Sequence, residues 1–374
     1  MSMLFSSLSM GLLTVKNRLM HSATYESMSE KNGEVNEALL KRYRHLARGN
    51  IGLIIPGHMN VHPAGKAGFR QTGIFSDHLV PGLKELVSVI HEENGKVVFQ
   101  LAHAGRQTRK EVTGSDPSGP SNDGTDPVFG VEPKVMDERE IQDVISAFGD
   151  AARRACEAGA DGVQIHAAHG YLINQFLSPF FNRREDAWGG SDEKRFSLLK
   201  QIFLAIKKNV PAELPVFIKL NTNDFTPETG IQPDLAALYA KWLTELGIDG
   251  IEISSGTLSY APLAMSRRLE EEGEFAYRDC YHLEAAEIIK PKIGKTPLIL
   301  VGGMREMDRM EVLLKDGLVD MVSMSRPFIR EPHLAKRFES GKSDRVVCVS
   351  CNNCLLAIRK GLPLKCYVKG IPGM

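Results

Sequence analysis

The stretch Asp161-Gly162-Val163-Gln164-Ile165-His166-Ala167-Ala168-His169-Gly170-Tyr171-Leu172-Ile173-Asn174-Gln175-Phe176-Leu177-Ser178-Pro179 carries three local signals in succession. DGVQIH is an apolar run too short for a helix and reads as a buried strand. Ala167 to Gly170 form a small-residue turn. Leu172 to Leu177 place apolar residues at helical spacing, and the pattern stops before Pro179. Two imidazoles and a phenol therefore sit at the C-terminal end of a strand. In α/β barrels and open α/β sheets that end handles ligands.

Working outward, the same strand-then-helix beat recurs. Short apolar runs occur at 18–23, 51–57, 96–101, 162–166, 215–220, 250–254, 297–302 and 320–325. Amphipathic segments lie at 36–49, 77–94, 137–158, 192–208, 233–246, 281–290, 306–316 and 331–339. Asp77 and Ser191 are placed as N-caps and Pro233 in a first turn. Gly95, Gly159, Gly247 and Gly317 fall at helix ends, where a positive φ is often needed. The strands lack strict alternation, which predicts a parallel sheet buried on both faces. Eight such units close into a single (β/α)8 TIM barrel. An open doubly wound sheet is disfavoured because no GxGxxG follows a strand at the right place. Leu12, Leu13 and Val15 are expected in an N-terminal hairpin that plugs the lower end. Residues 103–136, rich in Gly, Pro, Ser and Asp, form a long loop after strand three. Residues 1–345 are thus read as the barrel, and 346–374 as a Cys-containing C-terminal extension packed on it.

Composition narrows the function. Lys+Arg and Asp+Glu both number 46 in 374 residues, giving a formal charge of zero. No basic field points to nucleic acid and no polybasic tract to an anionic membrane. No apolar run is long enough to span a bilayer. The start, MSMLFSSLSMG, lacks the charged flank and long apolar core of a signal peptide. The expectation is a cytoplasmic protein acting on a small molecule. Its oligomeric state is open, a homo-oligomer included.

The histidines admit two readings. As metal ligands, His166 and His169 lack the glutamate of an HExxH helix and a nearby acidic residue to complete a site. As hydrogen-bond donors beside Tyr171 they suit an organic substrate. In the tail, Cys348, Cys351, Cys354 and Cys366 have the spacing C-x2-C-x2-C-x11-C. Four thiols so close suit a [4Fe-4S] cluster or zinc, and reduced thiols in a closing segment are the plain alternative.

The run HAAHGYLINQFLSPFFNRREDAWGGS resembles the signature of the Old Yellow Enzyme family, the flavin-dependent ene-reductases and NADH:flavin oxidoreductases. It is most similar to the barrel part of the 2,4-dienoyl-CoA reductase branch. The runs FQLAHAGRQ and SRPFIREP resemble the family too. The resemblance implies FMN as cofactor, NADH or NADPH as reductant, and an activated alkene such as an α,β-unsaturated carbonyl as substrate. It implies that His166 and His169 hold the substrate carbonyl and that Tyr171 protonates the α-carbon. It places Ser22, Ala23 and Thr24, at the end of strand one, against the isoalloxazine. Whether Thr24 or Tyr25 donates to the ring edge stays open. Gly57 would let the ring lie flat, and Gln100 would meet its pyrimidine edge. Lys219, where the family commonly has arginine, would face the charge of the reduced ring. Gly302, Gly303, Ser325 and Arg326, after strands seven and eight, would hold the phosphate. The asparagine-arginine run from Asn182 and the WGGS segment are read as structural. The dienoyl-CoA reductase branch binds a cluster at a related cysteine motif with one more residue between its second and third cysteines. That branch also carries a further dinucleotide-binding region absent here, so the cluster is expected without an attached donor.

Two other classes of function account for parts of the chain. A non-flavin phosphate-binding barrel, a lyase or isomerase, would explain strands seven and eight but not Gln100 and the paired histidines. A colourless protein that FMN cannot reconstitute would favour it. A redox-responsive interaction protein would rest on the cysteines, and loss of partner binding on thiol alkylation would favour that.

Overall fold

The structure, a computed structural model, describes residues 2–122, 124–260, 269–271, 274–276, 279–342 and 345–372, with 269–271 and 274–276 described by backbone alone. Eight parallel strands form the barrel: Leu19–His21, Leu53–Ile54 with Met59–Asn60, Phe99–Ala102, Val163–Ala167, Val216–Asn221, Gly250–Ser254, Leu298–Val301 and Met321–Met324. Strand eight returns to strand one, with Val322 opposite Leu19. Strand two closes the ring in two pieces. Its first half pairs with strand one, its second half with strand three, and Ile54 bridges Val97. The continuous strand expected over 51–57 is broken because Pro56 lacks an N–H for the ladder. Gly57 then turns its own N–H to the Glu26 carboxylate at 2.7 Å.

Most helices lie where the apolar periodicity predicts them. Glu138–Glu157 starts with a reciprocal capping box between Asp137 and Glu140 and buries Ile141, Val144, Ile145, Phe148, Ala151, Ala152 and Ala155 on one face. Ser191 accepts from the Lys194 N–H as an N-cap, Pro233 opens Pro233–Leu246, and Gly247 closes it at φ +86°. Gly159 and Gly317 also take positive φ. Two placements differ. Asp77 lies inside its helical turn, where its carboxylate takes Arg153 and Arg154, and Ser76 precedes it as the cap residue. Asn94, at φ +55°, turns the chain in place of Gly95; asparagine tolerates this conformation better than most residues.

An antiparallel hairpin, Leu8–Met10 with Leu13–Val15, seals the lower end. Met10, Leu13 and Val15 pack on the inward side chains Met20, Leu53, Val98, Phe217, Ile299 and Met321. Leu12, expected in this plug, is 75% exposed at the hairpin tip. Two residues further up the strands, the interior becomes polar: Ser22, Gln100, Lys219, Glu252 and Ser323 are all buried. The tail also rests on the barrel. Cys354 and Leu364 pack with Ile329, and the Leu364 N–H donates to the Glu26 carbonyl at 3.0 Å. Among the described residues no helix is long and apolar enough to cross a membrane.

Candidate active site

The polar layer is a connected network. Glu252, in the middle of strand six, accepts from Ser22 Oγ at 2.7 Å, Ser323 Oγ at 2.8 Å and Gln164 Nε2 at 2.9 Å. Lys219 Nζ lies 3.3 Å from the same carboxylate and donates to Ser22 Oγ at 2.8 Å. Gln100 Nε2 donates to Gln164 Oε1 at 2.7 Å. Lys219 thus has a carboxylate partner within the protein, so the charge of a reduced ring is not needed to hold it. A buried lysine without such a partner would be strongly destabilising.

Above this layer opens a cleft of ≈ 1050 Å³, solvent space included. Ala23, Thr24, Gln100, Lys219, His166, His169, Tyr171 and Ser325 all line it. Two residues expected at the ring do not. Ser22 is turned beneath the floor, between Glu252 and Lys219. Gly57 faces away, and a side chain there would run into the Glu26 carboxylate, which Tyr43 also contacts. Its missing Cβ makes room for that buried acid, not for a flat ring. Thr24 and Tyr25 both reach the cleft. Thr24 Oγ1 donates to the Ser22 carbonyl at 3.0 Å and pairs with Ser325 Oγ, whereas Tyr25 stacks on His58.

The catalytic candidates converge. His166 meets His169 edge-on at 5.2 Å and Tyr171 at 4.9 Å between ring centres. His169 sits at φ +64° and Gly170 at φ +77°. These two left-handed residues reverse the chain within one turn and bring both imidazoles to one wall. His169 Nε2 bonds Ser254 Oγ at 2.7 Å. His166 Nδ1 is buried and has no hydrogen-bond partner among the described residues. Burial first, with the charge of Lys219 adding to it, drives the His166 pKa well down and the His169 pKa to about 3. Both rings are therefore neutral near pH 7, and burial raises the Tyr171 phenol pKa, keeping it protonated.

A second cavity of ≈ 420 Å³ adjoins the cleft and shares Tyr281 and Ser325 with it. Gly302, Gly303, Arg305 and Arg326 line it. Gly302 at φ +106° and Gly303 at φ +69° bring the backbone close, and a Cβ on Gly302 would strike Tyr281 and His282. A polar-floored cleft joined to a glycine- and arginine-lined cavity suits a flat ring bearing a phosphate.

A third cavity, ≈ 340 Å³, is lined by Cys348, Cys351, Cys354 and Cys366 together. Arg326, Cys348 and Ser350 line this cavity and the glycine-lined one alike. Arg305 donates to the Cys348 carbonyl at 2.9 Å and Arg326 to Asn352 Oδ1 at 2.5 Å. Among the described residues no three His, Cys, Asp or Glu side chains converge as a single ion requires. The 182–191 segment is structural as expected: Arg184 binds Asp186 and the Pro120 and Met136 carbonyls, and Trp188 Nε1 donates to Glu138.

Several site residues lay outside the sequence expectations. His58, Gln164, Glu252, Ser254 and His282 line the cleft or support its floor. Glu252 had a visible signal: a carboxylate centred in the apolar run GIEIS must find a buried partner. His58 had none, standing alone in a loop.

A family model described as NADH:flavin oxidoreductase / NADH oxidase matches residues 3–345. The chain is 33% identical over 379 residues to an NADH oxidase of Thermoanaerobacter brockii, covering 99% of this chain and 56% of that protein. A solved 2-naphthoyl-CoA reductase, in complex with 2-naphthoyl-CoA, superposes with a TM-score of 0.90 at 27% identity, covering 98% of this chain and 56% of that one. An Old Yellow Enzyme homologue from Zymomonas mobilis superposes with a TM-score of 0.77 at 26% identity, covering 92% and 94%. The chain spans about half the length of the first two of these.

Proposed function

The chain belongs to the NADH:flavin oxidoreductase / NADH oxidase family, and from that premise we propose that it is an FMN-dependent ene-reductase acting on a small activated alkene. The observation that carries this reading is that the two cavities share Ser325 and Tyr281, and that His166, His169 and Tyr171 line the larger of them. Gln100, Lys219, Ala23, Thr24 and Ser325 would hold the ring, and Gly302, Gly303 and Arg326 the phosphate. FMN, when bound, supplies the two-electron chemistry, taking reducing equivalents from NADH or NADPH and delivering them to the alkene β-carbon.

The protein's own residues do the rest. His166 and His169, both neutral, offer N–H donors to a substrate carbonyl oxygen and stabilise the charge that grows there. Tyr171 holds a proton at its phenol oxygen and releases it to the α-carbon. The buried Lys219–Glu252 pair fixes a cation at the cleft, where it would face the negative charge of the reduced cofactor. Neutral histidines next to a protonated phenol suit a substrate with a polar carbonyl and an apolar body.

The test is direct. The purified protein should show flavin absorbance bands, and NADH or NADPH oxidation should depend on an added cyclic enone. A protein that FMN cannot reconstitute would overturn the reading. We further propose that Cys348, Cys351, Cys354 and Cys366 ligate a [4Fe-4S] cluster, supported by their shared cavity. Iron and acid-labile sulfide should then be present, and both should be lost from Cys351→Ser. All six cysteines are unpaired, which agrees with a cytoplasmic setting.

A further inference from the structure

Tyr171 is the last member of a hydrogen-bonded chain. Its phenol oxygen lies 3.2 Å from His58 Nε2, and His58 Nδ1 lies 2.6 Å from Gln71 Nε2. The direction of the chain is set at its far end. Gln71 Oε1 accepts from the Ala67 N–H at 2.6 Å, while Gln71 Nε2 donates to the His58 carbonyl at 3.0 Å. Turning the amide over would oppose donor to donor at Ala67 and acceptor to acceptor at the carbonyl. Nε2 therefore faces His58 Nδ1 as a donor, and Nδ1 presents a lone pair. Burial first, and then the charge of Lys219, lower the His58 pKa to about 3, so its ring is neutral near pH 7. A neutral imidazole with a bare Nδ1 carries its proton on Nε2. That proton points at Tyr171, so the phenol oxygen is the acceptor in this contact. The phenol's own proton is left for the cleft, which both rings line. Tyr25 stacks on His58, with ring centres 5.5 Å apart and planes 24° apart, and holds the imidazole in plane.

We propose that Gln71 and His58 are positioning residues that make Tyr171 a one-way proton donor toward the substrate. This rests on the reading of Tyr171 as the acid. In the transfer the phenol O–H bond breaks and a C–H bond forms at the α-carbon, and the electron pair stays on the phenol oxygen. The His58 N–H bond to that oxygen becomes charge-assisted as the proton leaves, so it is strongest where the acid needs it. His58 is a fixed donor and not a relay. The amide behind it gives up no proton, so Tyr171 regains its own from water in the cleft.

Three measurements decide this. In the holoenzyme labelled with ¹⁵N-histidine, the resonances missing from His58→Gln should report an Nε2–H tautomer; an Nδ1–H tautomer would overturn the proposal. His58→Phe removes the donor and should slow enone reduction by roughly 10–100-fold, the range for a hydrogen bond to a charged group. His58→Gln, whose amide N–H can reach the phenol, should restore most of it. Gln71→Glu should accept Nδ1–H and turn Nε2 into an acceptor that captures the phenol proton. Enone reduction by that variant should acquire a new limb, falling as pH rises through the His58 pKa, which the carboxylate raises. If Tyr171→Phe leaves enone reduction unchanged, the acid reading itself fails. If Tyr171→Phe slows it while His58→Phe and Gln71→Glu behave as the parent does, the positioning proposal alone fails.

Discussion

At the closed end of the barrel, Met20, Val98, Phe217 and Met321 point inward against the hairpin. Two residues along the same strands, Ser22, Gln100, Lys219 and Ser323 point inward beneath the cleft. Strand geometry puts both sets on one face, since side chains alternate with a period of two. The lower layer is held by apolar contact, which is non-directional and tolerant of exchange among similar shapes. The upper layer is held by a carboxylate that accepts from three side chains and pairs with Lys219. One pleat therefore separates a plug from the floor of the cleft. The difference lies in what a substitution leaves behind: a void below, an unpaired charge or donor above.

The comparison breaks most visibly at the rim of the polar layer. Tyr171→Phe keeps the ring and removes the acid. Stopped-flow reoxidation of the reduced enzyme by a cyclic enone should slow by a factor on the order of 10²–10⁴. Reduction by NADH or NADPH should change little, and nitroalkenes should suffer less than enones because their product anion is already stable. Equal slowing of both half-reactions would make Tyr171 part of the packing.

Next come the layers themselves. Glu252→Leu strands the Lys219 ammonium and should cost about 3–5 kcal/mol in urea unfolding. Phe217→Ala leaves a cavity and should cost a similar amount, about 3–5 kcal/mol. The two differ in rescue. Lys219→Met added to Glu252→Leu should recover much of the loss, because the pair is replaced by apolar contact. If the double variant is no more stable than Glu252→Leu alone, the charge pair does not organise the floor.

Arg326→Ala should weaken FMN retention by roughly 10–100-fold, the range for one charge-assisted hydrogen bond. Equilibrium dialysis of the reconstituted protein measures this, and unchanged retention would move the phosphate elsewhere. The smallest effect expected is none. His169, with its pKa lowered to about 3 by burial, and His166, whose pKa burial also drives well down, are both neutral near pH 7. Enone turnover should then be flat between roughly pH 5 and 8 instead of showing the ordinary imidazole step near 6.5. A limb that falls with rising pH in that window would mean a protonated histidine does the binding.

Much of this was legible in the chain. Eight apolar runs locate eight strands because a parallel barrel buries both faces of each. His166, His169 and Tyr171 were legible because they lie within six residues at one strand end. Residues whose roles depend on register were not. Lys219 stands beside Glu252 only once strands five and six are aligned. Ser22 looked like a cleft residue, and the pleat turned it under the floor. Gly57 suggested room for a ligand, but the occupant is Glu26, whose burial no local pattern announces. Gln71 and His58 are separated by a loop whose path depends on the break in strand two.

The boundary of the family match has a practical consequence. It ends at Arg345, yet Leu355 lines the active-site cleft and Asn352 receives Arg326. The helix Asn353–Arg359 puts Cys354 on the thiol cavity and its neighbour Leu355 on the cleft. An engineer who cuts at the natural-looking seam would remove Leu355 from the cleft along with the cysteines. Conversely, swapping residues 346–372 between homologous barrels would exchange the Leu355 side chain of the cleft and the thiol cavity together, with Arg305 and Arg326 as the sockets that must stay unchanged in the barrel.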